Sequence, residues 1–121
     1  MLYNTFETIF DLIFLSHTAV LVYKRKREKR HKSAKQMERH LKGVANHRRI
    51  EILFLIAANK GITVEDIAGS LDCNVKTISE HTRRLAQAGL VRKDYKGRNV
   101  THELSPYGNI IHKFLRTFQH S

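Results

Sequence analysis

The tightest constraint in this sequence is the shortness of the link between two helical patterns. Residues 63–71 (TVEDIAGSL) and 75–88 (VKTISEHTRRLAQA) are both apolar at helical spacing, and only Asp72-Cys73-Asn74 separates them. Thr63, followed by Glu65 and Asp66, reads as a helix start, because acids in a first turn favour the helix dipole. Ile67, Ala68 and Leu71 form that helix's buried side. Asn74 caps the next helix, which turns Val75, Ile78 and Leu85 inward and stops at Gly89. Two helices of this size with a three-residue turn must fold back on each other as a helix-turn-helix.

The flanks complete the unit. HRRIEILFLIAA is apolar at Ile50, Leu53, Phe54 and Ala57 and again at Ile52, Leu55 and Ile56, so it reads as a central helix buried on several sides. Asn46 caps it and Lys60-Gly61 ends it. After Gly89 the period changes: LVRKDYKGRNVTHEL alternates around Lys96-Gly97, which predicts a two-stranded hairpin over roughly 90–95 and 98–104. Ser105-Pro106 then supplies a cap and a first-turn proline. The last helix is apolar at Tyr107, Ile110, Ile111, Phe114, Leu115 and Phe118, a stripe wide enough to pack on a second subunit.

The expected fold is mainly α with a small β-hairpin: a winged helix-turn-helix domain over residues 43–121, preceded by an N-terminal helical extension over residues 1–42. From about Gly43 to Pro106 the chain resembles the ArsR-type winged-helix transcriptional regulators. The resemblance is carried by Asn46-His47-Arg48-Arg49-Ile50-Glu51-Ile52-Leu53, by Thr77-Ile78-Ser79-Glu80-His81, by Leu85-Ala86-Gln87-Ala88-Gly89-Leu90-Val91 and by Leu104-Ser105-Pro106. Thr82 stands where that family's recognition helix has leucine. The resemblance implies a sequence-specific regulator of double-stranded DNA that dimerises through its terminal helices.

A recognition helix puts its N-terminal residues and one wet face into the major groove. Here that face is Lys76, Thr77, Ser79, Glu80 and Arg83. Lys76 and Arg83 can donate to guanine, Thr77 and Ser79 can meet bases or phosphates, and Glu80 can accept from cytosine. For Ser79 and His81, hydrogen bonding within the helix surface competes with DNA contact. Arg84, further round, is placed to reach a phosphate. Arg92, Lys93, Lys96 and Arg98 make the hairpin a basic wing for the sugar-phosphate backbone, setting affinity rather than sequence preference.

Charge divides the chain further. Residues 1–23 carry −2, residues 24–49 carry +10 and residues 50–121 carry +3, so most of the excess lies in an arm before the domain. Residues 2–23 are apolar over a length that could span a bilayer, and the basic run KRKREKRHK follows at once. Against a simple span, Asn4, Glu7, Thr8, Asp11 and Thr18 fall in one stripe opposite Tyr3, Phe6, Phe10, Ile13 and Phe14. Three readings of this head stay open: a helix packed on another subunit or on the domain, a membrane anchor, or a segment dispensable to a protein that starts at Met37. The arm, residues 24–42, reads as a helix continuing from the head and as a phosphate-binding segment. A regulator of this kind is expected in the cytoplasm, with membrane contact of residues 2–35 as the variant reading. The alternative function is a membrane-tethered or protein-interaction module whose basic arm lies on anionic lipid.

Other chemistries find no support in the residues. The single cysteine, Cys73, excludes an intrachain disulfide and a multi-cysteine zinc site, and reads as a small buried apolar residue. The metal-sensing cysteines of many ArsR-type proteins are missing at Thr63-Val64-Glu65-Asp66-Ile67. His112 and His120 lie eight apart, and His31, His40 and His47 read as solvated. No metal, cofactor or catalytic residue is expected, because phosphate-loop, HExxH and nucleophile–base motifs are lacking.

Overall fold

The structure is a computed structural model that describes residues 31–121. The apolar head and the first part of the basic arm lie outside the described residues. Five helices and three strands follow in order: α1 Ala34–Val44, α2 His47–Ala58, β1 Ile62–Thr63, α3 Val64–Leu71, α4 Val75–Gln87, β2 Val91–Lys96, β3 Asn99–Leu104 and α5 Pro106–Gln119. The compact unit runs from Gln36 to Ser121. The end of the arm, assigned by sequence to the extension, therefore packs with the domain.

Local chemistry sets the helix starts. Asn46 Oδ1 accepts from the Arg49 amide at 3.1 Å, Thr63 Oγ1 from Asp66 at 3.2 Å, Asn74 Oδ1 from Lys76 at 2.7 Å and Ser105 Oγ from Gly108 at 3.0 Å. Each cap satisfies an amide that the helix itself leaves unpaired, typically worth ~1 kcal/mol. Between α3 and α4 the chain reverses at Asp72, whose φ of 50° is left-handed, a conformation aspartate tolerates better than most residues.

Ile52, Leu53 and Ile56 of α2 form the centre of the core, against Ile67 and Ala68 of α3, Ile78 and Leu85 of α4, and Leu90 and Val91. Ile50, Leu55, Leu71, Cys73, Ile111 and Leu115 pack around it half-buried. Val75 departs from the sequence expectation: it is 45% exposed, because the first residue of α4 precedes the turn that meets the core. Its place on the inner face goes to Thr82, fully buried, whose hydroxyl donates to the Ser79 carbonyl at 2.9 Å. That internal bond lets a hydroxyl stand where leucine was expected.

The hairpin is part of a three-stranded antiparallel sheet in the order β1-β3-β2. β1 pairs Ile62 with His102 and Thr63 with Thr101, and two residues are too few to leave an alternating pattern in sequence. The turn falls at Gly97-Arg98, one residue later than expected, since Lys96 pairs with Asn99 and Gly97 adopts the positive φ of 63°. At the other end, Ser105 ties the wing to α5: its amide donates to Leu90 O at 3.0 Å and its hydroxyl to Gly89 O at 2.6 Å. Gly108 lies so close to this junction that a Cβ there would run into the Leu90 carbonyl oxygen.

His102 is buried at the centre of the sheet. Its Nδ1 lies 3.0 Å from Ile62 O, so Nδ1 carries the hydrogen and donates, while Nε2 is buried without a partner. Burial holds its pKa below the usual histidine value, against the opposing pull of the Ile62 bond. Burial lowers His81 and His112 in the same sense. The unfolded chain thus binds protons that the folded chain refuses, and stability present above about pH 6.5 is lost as pH falls below it. Urea midpoints should drop from pH 7 to pH 5 in the native chain, and less so in His102→Leu. An equal drop in both would remove His102 from this role.

Candidate nucleic-acid interface

Burial of Ile78, Thr82 and Leu85 fixes how α4 is rotated. The opposite face carries Lys76, Thr77, Ser79, Arg83 and Arg84, all exposed. Glu80 lies among them half-buried. Its carboxylate accepts from Arg83 Nε at 2.9 Å and Arg83 Nη2 at 2.6 Å, and from Arg84 Nε at 3.1 Å. The Arg83 hydrogen bond, aided by Arg84, holds its pKa down to about 2. In the free protein Glu80 therefore orders two arginines, a role that sequence reasoning did not give it.

His81 turns toward α2 rather than outward. Its Nδ1 is buried without a partner, and Arg49, Arg48 and Arg84 add to the burial that lowers its pKa. His40, read as solvated, is instead half-buried: its Nδ1 lies 2.6 Å from Ala88 O, and its ring packs 5.0 Å from that of Tyr107. A histidine inside a basic run gives no sign in sequence of the carbonyl it will meet. Lys93 is half-buried on β2 opposite His102, whereas Arg92, Lys96 and Arg98 are exposed. The wing also holds out Tyr95, 73% exposed, which composition and spacing did not single out.

The geometry is thus the second helix of a helix-turn-helix, with a polar, mainly cationic outer face, followed after Ala88-Gly89-Leu90 by a β-hairpin with basic side chains. Among the described residues no group of three His, Cys, Asp or Glu could hold a metal ion, and no helix is long and apolar enough to cross a membrane.

These features define a winged helix-turn-helix protein, with the fold found in ArsR- and MarR-type transcriptional regulators. A family model described as HVO_A0114 matches residues 44–111, over half of the chain, and the chain belongs to that family. Among solved structures it is similar to the homodimeric winged helix-turn-helix DNA-binding domain of Mb0332 from Mycobacterium bovis, "a possible ArsR-family transcriptional regulator". Identity is 27% and the TM-score 0.64, over 70% of this chain and 79% of that one. A crystal structure of the same fragment gives 26% identity and a TM-score of 0.65, over 75% of this chain and 100% of that one. Reduced HlyU from Vibrio cholerae N16961 shares the fold at 24% identity and a TM-score of 0.64, over 78% and 96% of the two chains. No curated protein matches the chain.

Because Glu80 stays ionised down to about pH 2, its clasp on Arg83 and Arg84 should hold throughout pH 4–8. The arginine Nε–H resonances of both residues should not titrate in that range, and both should shift in Glu80→Gln. A transition near pH 4 would show the carboxylate to be free of them.

Proposed function

We propose that the chain is a sequence-specific regulator of double-stranded DNA, acting as a homodimer. The observation that carries this reading is the outer face of α4, where Lys76, Thr77, Ser79, Arg83 and Arg84 are exposed opposite a fully buried stripe. Set in the major groove, Lys76 and Arg83 donate to base edges and Thr77 and Ser79 meet bases or phosphates. Glu80 either accepts from cytosine or releases Arg83 to guanine. Arg84, and Arg92, Lys93, Lys96 and Arg98 of the wing, neutralise phosphates. His81 supports the helix from its inner side.

In a gel shift at graded salt, Lys76→Ala with Arg83→Ala should abolish the preference for the selected site over random duplex. Arg92→Ala with Arg98→Ala should weaken binding to both alike, and lower the slope of log affinity against log salt by about two, one per lost phosphate contact. Retained sequence preference in the first variant would sink the recognition-helix assignment.

Dimerisation follows from the terminal helices. Ile110, Phe114 and Phe118 of α5 are more than half exposed, with Tyr107 close to that, and Phe114 and Phe118 stack at 5.9 Å. Met37 and Leu41 of α1 add further exposed apolar surface. A surface of this kind on a small domain is covered by a partner, and a two-fold dimer doubles the base pairs read. Light scattering of the full chain should give a dimer, and Ile110→Asp with Phe114→Asp a monomer with unchanged helical content. A dimer that persists in that variant places the contact elsewhere.

A further inference from the structure

Beside the outer face of α4 lies a second cationic feature. α1, the first turn of α2 and the last turns of α4 enclose an open cleft of about 330 Å³. Its floor is the contact of Gly43 with Ala88, so close that a Cβ on Gly43 would overlap the alanine methyl. Arg39 and Lys42 of α1, Arg49 of α2 and Arg84 of α4 line it, and no acidic residue does.

The partners of these four cations differ. Lys42 reaches back to Glu38 at 2.6 Å, and Arg84 to Glu80 at 3.1 Å. Arg39 Nη2 donates to Gln87 O at 3.0 Å. Arg49 has no carboxylate among the described residues: Nη2 donates to Lys42 O at 3.3 Å, and Nε is buried with no acceptor. The carbonyls that end α4 would repel an anion, but two of them are already engaged, Gln87 O by Arg39 and Ala88 O by His40. What remains toward the cleft is positive. Collecting four cations around one concavity is unfavourable unless an anion joins them. A planar guanidinium with an unmet donor favours an anion that offers several oxygens at once.

We propose that this cleft binds a phosphate group. Arg49 is its central fork, with Arg39, Lys42 and Arg84 around it. The phosphate comes either from the DNA backbone beside the groove or from a free phosphate ester, and only the first source rests on the DNA-binding reading above. Arg84 links the two sites. Once it turns to a phosphate, Glu80 keeps Arg83 alone, so occupancy of the cleft alters the side chains offered by α4.

The test uses the full chain without DNA. It is titrated with inorganic phosphate, and with chloride at equal ionic strength, while the Nε–H resonances of Arg49 and Arg84 are followed. A saturable response to phosphate alone, weakened at least tenfold in Arg49→Gln and in the exposed-site variant Arg84→Gln, supports the site. Repeating the titration with saturating random-sequence duplex assigns the source. Loss of the phosphate response, with a salt slope of DNA binding lowered by about one in each variant, identifies a backbone phosphate. Persistence of the response identifies a free ester. A lowered slope in both variants without a free-phosphate response also supports the cleft, as a DNA contact only. If phosphate and chloride act alike and neither variant changes the slope, the proposal is overturned. A chain that binds no duplex at all defeats the DNA reading and leaves the phosphate titration to decide this one.

Discussion

Everything that α4 can offer a partner depends on three side chains that no partner reaches. Ile78, Thr82 and Leu85 are each fully buried, on one stripe of the helix against α2 and α3. Fully burying an aliphatic side chain contributes about 1.5–3 kcal/mol, and rolling the helix by one residue would forfeit most of that. The rotation of α4 is thus fixed by hydrophobic packing, and the polar face is held where it is without a contact of its own. Thr82 belongs to this stripe because its hydroxyl finds an acceptor in its own helix.

The second constraint is the crowded junction at the end of α4. Leu90 is fully buried, its amide bonds Leu85 O, and its carbonyl accepts from Ser105. Ser105 at once caps α5 and holds Gly89 O, and Gly108 rests against the Leu90 backbone. On the other side His40 and Arg39 of α1 bind the last carbonyls of the helix. α4, the β2-β3 hairpin, α1 and α5 therefore meet around a few backbone groups. A displacement of α1 or α5 bears directly on the end of α4.

Electrostatics divide the exposed cations into two groups. Glu80 binds Arg83 and Arg84 and keeps them ordered without neutralising the face, which still carries Lys76 and the wing. Around the cleft the acids lie outside: Glu38 and Glu80 hold Lys42 and Arg84 from beyond its lining, and Arg49 is left with backbone alone. The same helix thus carries one cationic surface moderated by a carboxylate and borders another with no carboxylate in it.

The sequence by itself determined the helices, their starts and the hairpin. Those depend on interactions within about four residues: Asn46, Thr63, Asn74 and Ser105 each cap an amide two or three positions away, and apolar spacing follows the helical period. The outer residues of α4 were legible for the same reason, since burying Ile78 and Leu85 places their opposites in water. Only the tertiary structure decided the rest. β1 exists because β3 supplies its partners, His102 is buried on β3 between β1 and β2, and His40 is engaged because Ala88, forty-eight residues away, presents a carbonyl. The cleft of Arg39, Lys42, Arg49 and Arg84 joins three helices whose charges look, in sequence, like an arm and two isolated pairs. Local spacing records which face a residue takes, but long-range approach alone sets what it meets there.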